Sequence, residues 1–367
     1  MTKSCFLKGN QKIFLLHLNQ ATSCCRAYPT SLDQHQSIED LHQQWNEESK
    51  KLDQGVELPG CQHCWQHEKQ GLQSYRQQLS HKNNKFETIE LNINNTCNQM
   101  CSYCSPKFSS SWEKSITEQG VFVKISASAQ KNLELNRTSF ADKDWISQIY
   151  NYIDQCEDNS VVLKLLGGEP LMQLRNLERL VETNLTKIRK LQIITNLNPP
   201  NPKFLHRVLD TFPTDKLDFE ISLDTVPKYN ALPRAGFDQQ QFEQNLNRLT
   251  QYKISFSFLS VISVLSIFTL DQYQQWLVNR GYAATFFNIN NPDCFDPVYL
   301  PQQFKDKLLA KSLPKSTQEI LQKHSGMVDL KQFEQYNYLK QYFSRTNTQI
   351  NEPEFAEYWA WLEDKFK

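Results

Sequence analysis

From Thr88 onward, short apolar runs alternate with stretches of helical period, and this alternation constrains the fold more than any other feature of the chain. A strand, helix, strand rhythm builds βα units around a parallel sheet. Six runs read as strands: Thr88 to Ile93, Val161 to Leu166, Leu191 to Thr195, Leu217 to Leu223, Ser255 to Val264 and Ala284 to Ile289. Between them, apolar residues recur at helical spacing in Trp145, Ile146, Ile149 and Ile153, in Leu177, Leu180, Val181 and Ile188, and in Leu205, Val208, Leu209 and Phe212. Each stripe would cover one face of the sheet. Helix punctuation agrees, with Asn201 before Pro202, and Asp271 opening a helix that Gly281 closes. Repeats of this length match an incomplete or complete barrel better than a doubly wound sheet, but periodicity alone does not separate the two, and the motifs decide it.

The flanks differ from this middle section. Residues 1–87 are rich in Gln, His and Lys, have no βα rhythm, and read as a separate module. With few aliphatic runs from Thr30 to Gln70, such a module needs a metal or a neighbouring domain to hold its shape. After Asn290 the chain turns helical and aromatic, ending in the stripe Phe355, Tyr358, Trp359, Leu362 and Phe366 behind an Asn351 cap with Glu354 three residues on. This stripe predicts a helix docked on the barrel. The charge-free run Ile254 to Leu270 carries five Ser and one Thr and reads as a buried strand entering a helix, not as a membrane span. The N-terminus lacks the pattern of a secretory signal, so the expected location is the cytoplasm. Forty basic and forty acidic side chains cancel, which leaves no global electrostatic pull toward nucleic acid or anionic membrane.

Cysteine placement is the chemical signal. Seven of the ten cysteines fall between Cys24 and Cys104, as the adjacent Cys24 and Cys25, a Cys61-x-x-Cys64 pair, and the triplet Cys97, Cys101 and Cys104 directly after the first barrel strand. A reducing compartment disfavours structural disulfides, so grouped thiols point to metal. Soft sulfur ligands favour zinc or iron–sulfur clusters. Structural zinc takes four ligands, whereas a three-Cys loop leaves a position open for substrate or cofactor.

The triplet, with aromatic Tyr103 just before its last cysteine, resembles the signature of the radical S-adenosylmethionine (SAM) enzymes. The resemblance implies a partial (β/α)6 TIM-like barrel over residues 88–290. It also implies a [4Fe–4S] cluster on Cys97, Cys101 and Cys104, with SAM chelated at the open iron. Reductive cleavage of SAM would give a 5′-deoxyadenosyl radical that takes a hydrogen atom from the substrate. A flavodoxin or ferredoxin would supply the electron. A second match, Leu166-Gly167-Gly168-Glu169-Pro170 at the end of strand two, resembles the family's GGEP motif. There Gly168 and Glu169 would hold the methionine amino group, since glycines admit close approach and a carboxylate accepts from ammonium. Weaker matches are Asn196, Ser222 and Arg234, polar groups at or beyond strand ends expected near the ribose and the carboxylate. Asp224 and Arg234 could equally form a surface pair.

Cys61-Gln-His-Cys64-Trp65, followed by Glu68, Gly71, Ser74 and Arg76, resembles the cysteine segment of the twitch domain of some radical SAM proteins. The resemblance implies an auxiliary iron–sulfur cluster with Cys24, Cys25 and Cys5 as further candidate ligands. Structural zinc with His63 or His67 is the competing reading. Cys156 and Cys294 stand alone, and Cys294 is a minor candidate for a hydrogen donor. The family's auxiliary-cluster members imply a ribosomally made peptide or protein as the substrate, modified by crosslinking, epimerisation, excision or oxidation. A small molecule or nucleotide is the first alternative, and a zinc-bound structural or RNA-binding protein the second.

Overall fold

The structure is a computed structural model that describes residues 5–79, 86–135, 144–173, 185–289, 291–323 and 325–367. It is an α/β fold with a mostly parallel sheet. The chain divides into two compact units. One holds Met1–Asn95, Arg137–Ile194 and Lys203–Asp218, and the other Thr96–Asn136, Thr195–Pro202 and Phe219–Lys367. The strands are β1 (Gln11–Leu15), β2 (Gln20–Thr22), β3 (Thr30–Ser31), β4 (Glu87–Asn92), β5 (Met100–Cys101), β6 (Val161–Leu166), β7 (Ile188–Thr195), β8 (Leu217–Ser222), β9 (Arg234–Ala235), β10 (Ser255–Ile262) and β11 (Ala284–Asn288).

In the first unit the strand order is β7-β6-β4-β1-β2-β3. Strands β1, β4, β6 and β7 run parallel, with Phe14 opposite Leu91 and Leu91 opposite Leu165. Residues 1–87 therefore share a sheet with the strand that opens the barrel region. The apolar run Ile13 to Leu16 is too short to announce itself in the sequence, yet β1 is an inner strand, paired on its two edges with β4 and with antiparallel β2, and its Ile13 and Phe14 are buried. Between Thr30 and Gln70, the helix Ile38–Asp53 is capped by Ser37, whose side chain accepts from Asp40 N. It buries Ile38, Leu41, Trp45 and Leu52, contributing roughly 1.5–3 kcal/mol for each large apolar side chain. The helices Trp145–Gln155 and Lys203–Thr211 form as their stripes predict, burying Trp145, Ile149 and Ile153, and Leu205, Val208 and Leu209.

One sequence expectation changes in this unit. Ile188 does not belong to a helical stripe, since β7 begins there. A bulge opposite Val161 and Val162 skips Arg189, so that Ile188 and Leu191 both turn inward. The partners of Ile188 in that stripe, Leu177, Leu180 and Val181, lie outside the described residues.

In the second unit the order is β8-β10-β11, with β10 and β11 parallel, and β5 pairs with β9 in a separate antiparallel ribbon. The segment Ile254 to Leu270 is a strand that leads, through a 3-10 turn at Ile267–Thr269, into the helix Leu270–Arg280. That helix closes at Gly281, which takes the left-handed conformation at φ 66°. Asp271 lies inside the first turn, and Thr269 precedes the helix. The last helix, Pro353–Phe366, buries Phe355, Tyr358 and Leu362. Its cap is Glu352 rather than Asn351, because Pro353 fixes the first helical position and the Glu352 carboxylate accepts from Glu354 N and Phe355 N. Among the described residues no helix is long and apolar enough to cross a membrane.

Candidate functional site

The triplet lies on a loop tied down along its whole length within the second unit. The helix Ser110–Gln119 starts against it. Cys97 N donates to Ser110 Oγ at 3.0 Å, Ser111 Oγ donates to the Cys97 carbonyl at 2.7 Å, and the capping Ser109 donates to the Gln99 carbonyl at 2.7 Å. Trp112 Nε1 donates to the Cys101 carbonyl at 2.9 Å. The long helix Val328–Thr346 adds two tyrosines: Tyr338 donates to the Ser102 carbonyl at 2.8 Å and Tyr342 to the Met100 carbonyl at 2.9 Å. Tyr342 Oη also accepts from Ala235 N at 3.1 Å, so one phenol bridges both strands of the β5–β9 ribbon. Gly236 (φ 91°) brings the chain so close to the loop that a Cβ there would stand 2.7 Å from the Asn98 carbonyl.

Polar side chains from the strand ends meet this loop. Asn196 Nδ2 donates to Asn98 Oδ1 at 3.0 Å, and Asn98 Nδ2 donates to the Asn198 carbonyl at 2.7 Å. Ser222 ends β8, half-buried, two residues before Asp224. Asp224 and Arg234 form a buried pair rather than a surface one, with Nε to Oδ2 at 2.8 Å and Nη2 to Oδ1 at 3.2 Å. Asp224 also accepts from Tyr103 Oη at 2.7 Å and from Val261 N at 2.9 Å.

Burial pushes the Cys101 thiol up, opposed by the charge of Arg234. Cys104 is pushed up to about 12, first by burial and then by Cys101. Burial likewise holds the Tyr103 phenol well above its ordinary value. Ligation as thiolates would release the thiol protons.

The donor chemistry fits an iron–sulfur cluster. Three soft thiols sit within eight residues, Gln99 N–H points at Cys97 Sγ at 3.5 Å, and Arg234 Nη1 lies 3.6 Å from Cys101 Sγ. Among the described residues no three His, Cys, Asp or Glu side chains stand close enough together to hold a metal ion.

In the first unit, Gly167 and Gly168 both have positive φ, at 80° and 56°. A Cβ on Gly167 would fall 1.8 Å from Asn92 Oδ1, a buried acceptor without a hydrogen-bond partner among the described residues. Glu169 is 1% exposed, and its carboxylate accepts from Leu171 N at 2.9 Å as Pro170 opens a 3-10 turn. A buried carboxylate and an orphaned amide oxygen are acceptors suited to an ammonium group.

The N-terminal cysteines also lie in the first unit. Cys24 and Cys64 are buried, Cys5 and Cys61 half-buried, and Cys25 exposed. Burial, followed by lesser effects of Lys8, Cys5, Cys24 and Cys64, leaves the Cys61 thiol at about 11, and the Cys5 thiol is raised by burial with Cys24 and Cys64 adding. Cys5, Cys24, Cys61 and Cys64 thus share one electrostatic neighbourhood. The Cys24 thiol, hydrogen-bonded to Cys25, is raised, and Cys25 is lowered to about 7. Just beyond, Glu68 pairs with Arg76 and accepts from Ser74, and the Arg76 guanidinium stacks 3.8 Å from the Trp65 ring. Cys294 is buried with its thiol raised by burial, its carbonyl accepting from Gln335 at 2.8 Å. Cys156 Sγ points at the Tyr152 carbonyl at 3.4 Å.

The family model of the Radical SAM superfamily matches residues 91–276, just over half of the chain. The chain belongs to the radical SAM superfamily. This radical SAM enzyme matches no curated protein. Solved structures similar to it include native anSMEcpe with bound AdoMet, at 16% identity and TM-score 0.39 over 61% of this chain and 59% of that one. Another is Streptococcus suis SuiB bound to precursor peptide SuiA, at 14% identity and TM-score 0.38 over 83% of this chain and 53% of that one. The chain spans little more than half the length of either. Radical SAM membership implies a [4Fe–4S] cluster and SAM.

Asp224, Tyr338, Tyr342, Asn98 and Asn198 carry the architecture of the site, and of these only Asp224 carried a sequence signal, its spacing from Arg234.

Proposed function

We propose that this radical SAM enzyme abstracts a hydrogen atom from a ribosomally made peptide or protein, with a second, auxiliary iron–sulfur cluster in its N-terminal segment. When bound, the [4Fe–4S] cluster and SAM supply the radical chemistry. The observation that carries the reading is the Cys97–Cys104 loop, whose backbone carbonyls at Cys101, Ser102 and Met100 accept from Trp112, Tyr338 and Tyr342. Cys97, Cys101 and Cys104 are the ligands. Gly167, Gly168, Glu169 and Pro170 hold the methionine end of SAM, and Asn196, Ser222 and Tyr103 contribute polar groups.

The auxiliary reading rests on Cys5, Cys24, Cys61 and Cys64 as neighbours, with Cys25 beside them, and on the Glu68–Arg76 clamp that follows. In this reading residues 1–87 are the twitch-like segment, 88–290 the catalytic partial barrel and 291–367 an extension. The protein works in the cytoplasm with a flavodoxin or ferredoxin as reductant.

The test is anaerobic incubation with SAM, dithionite and a deuterated synthetic copy of each short peptide found to be encoded next to the gene. Deuterium in 5′-deoxyadenosine supports a peptide substrate. Unlabelled 5′-deoxyadenosine with unmodified peptide contradicts that substrate class and turns the assignment to a small molecule.

A further inference from the structure

Arg234 and Cys101 are not brought together by chance packing. They are direct register partners in the antiparallel β5–β9 ribbon, one residue on each strand. The guanidinium spends Nε and Nη2 on Asp224 and turns Nη1 toward Cys101 Sγ, at 3.6 Å. Asp224 is itself immobilised, since it accepts from Tyr103 Oη and Val261 N, and its own N–H donates to Asn230 Oδ1 at 3.0 Å. Side-chain exposure is 8% for Arg234 and 0% for Asp224, so the cation is neither screened by water nor free to swing. A guanidinium anchored in this way has its side-on fork already filled, which leaves a carboxylate ligand only a partial end-on approach.

We propose that Arg234 is a positioning residue whose fixed charge-assisted hydrogen bond to the Cys101 sulfur sets the reduction potential of the cluster on the triplet, rather than a clamp for the SAM carboxylate. The proposal rests on the reading that Cys101 is a cluster ligand. Reduction adds negative charge to the cluster and its thiolates, and a hydrogen bond to a ligating sulfur stabilises the more negative state and raises the potential. Tyr103 takes part indirectly. Its hydroxyl shares the Asp224 carboxylate, which leaves more of the Arg234 charge directed at sulfur.

The test is a reductive titration of the anaerobic full chain without SAM, followed by electron paramagnetic resonance, for wild type, R234M, R234K, Y103F and C101A, with iron counted in each. At a fixed poise within the transition, R234M is expected to show about a tenfold lower ratio of reduced to oxidised cluster, equivalent to about 59 mV for a one-electron couple. R234K should recover part of this loss. Y103F removes only a hydroxyl and keeps the variant foldable; it should shift the ratio the same way by a smaller factor. In R234M and R234K, SAM affinity measured on the oxidised protein should change less than twofold. An unchanged ratio in both R234M and Y103F with iron retained overturns the proposal, as does a large loss of SAM affinity with the potential unmoved. If C101A keeps all the iron of wild type, the ligand reading itself has failed, and that outcome is distinct from the first two.

Discussion

Breaking the Asp224–Arg234 pair from one side should be among the most damaging single changes in the second unit. In R234M the Asp224 carboxylate keeps two neutral donors, Tyr103 Oη and Val261 N, and loses a two-pronged cation at 2.8 and 3.2 Å. Its side chain is 0% exposed, so water cannot replace the guanidinium. Removing one member of a buried ion pair costs about 3–5 kcal/mol, because the remaining charge is left uncompensated. Since about 1.4 kcal/mol is a factor of ten, the folded population relative to unfolded should fall at least a hundredfold. Removing both charges, in D224N with R234M, should cost less than the sum of the two single changes by at least about 2 kcal/mol, as expected of contacting residues. Urea denaturation followed by tryptophan fluorescence reads this directly, because buried Trp112 donates to the Cys101 carbonyl next to the pair. A cost under about 1 kcal/mol for R234M, or an additive cycle, would refute the reasoning, since such values belong to solvent-screened pairs.

Three further outcomes follow from the geometry. G167A combines φ 80° with a Cβ placed 1.8 Å from Asn92 Oδ1, so it should lose roughly 2–4 kcal/mol of stability by urea denaturation, from left-handed strain and overpacking together; a loss below about 0.5 kcal/mol sinks the close-packing argument. Y342F leaves Ala235 N and the Met100 carbonyl without their shared phenol, which should cost about 1–3 kcal/mol and speed amide exchange at Ala235, while unchanged exchange there contradicts the bridge. His42 is lowered to about 3, by burial first and by Lys12 second. The unfolded chain therefore binds this proton first as pH falls below about 6.5, and stability declines by up to about 1.4 kcal/mol per pH unit from there toward pH 3. H42Q should remove about 1 kcal/mol of the loss seen between pH 7 and pH 5.5, and identical pH profiles would exclude His42 as its source.

The parts of the structure legible in the sequence are those coded locally. Val161–Leu166 stands where its apolar run predicts, and β4, β8, β10 and β11 match their expected spans to within a few residues at each end. The loop cysteines were legible because eight residues contain all three. Features that depend on distant partners were not. β1 becomes a strand only because β4, more than seventy residues later, lies beside it. Tyr338 and Tyr342 look like any helical core aromatics until their hydroxyls are found on Ser102 and Met100, over two hundred residues away. The Asp224–Arg234 spacing suits a surface pair or a buried one equally well, and only the β5–β9 ribbon, which sets Arg234 opposite Cys101, settles it. At Ile188, a branched apolar residue continued a helical stripe while also suiting a strand, and the bulge beside Arg189 decided for the strand.

The central claim is that Cys97, Cys101 and Cys104 carry the cluster that cleaves SAM. The most direct measurement is iron and acid-labile sulfide per chain on anaerobically purified protein, for wild type and the triple variant C97A/C101A/C104A, with dithionite-dependent SAM cleavage as the paired readout. About eight irons falling to about four, with cleavage abolished, is the predicted result. Zinc in place of iron, or cleavage that survives the triple variant, would contradict it.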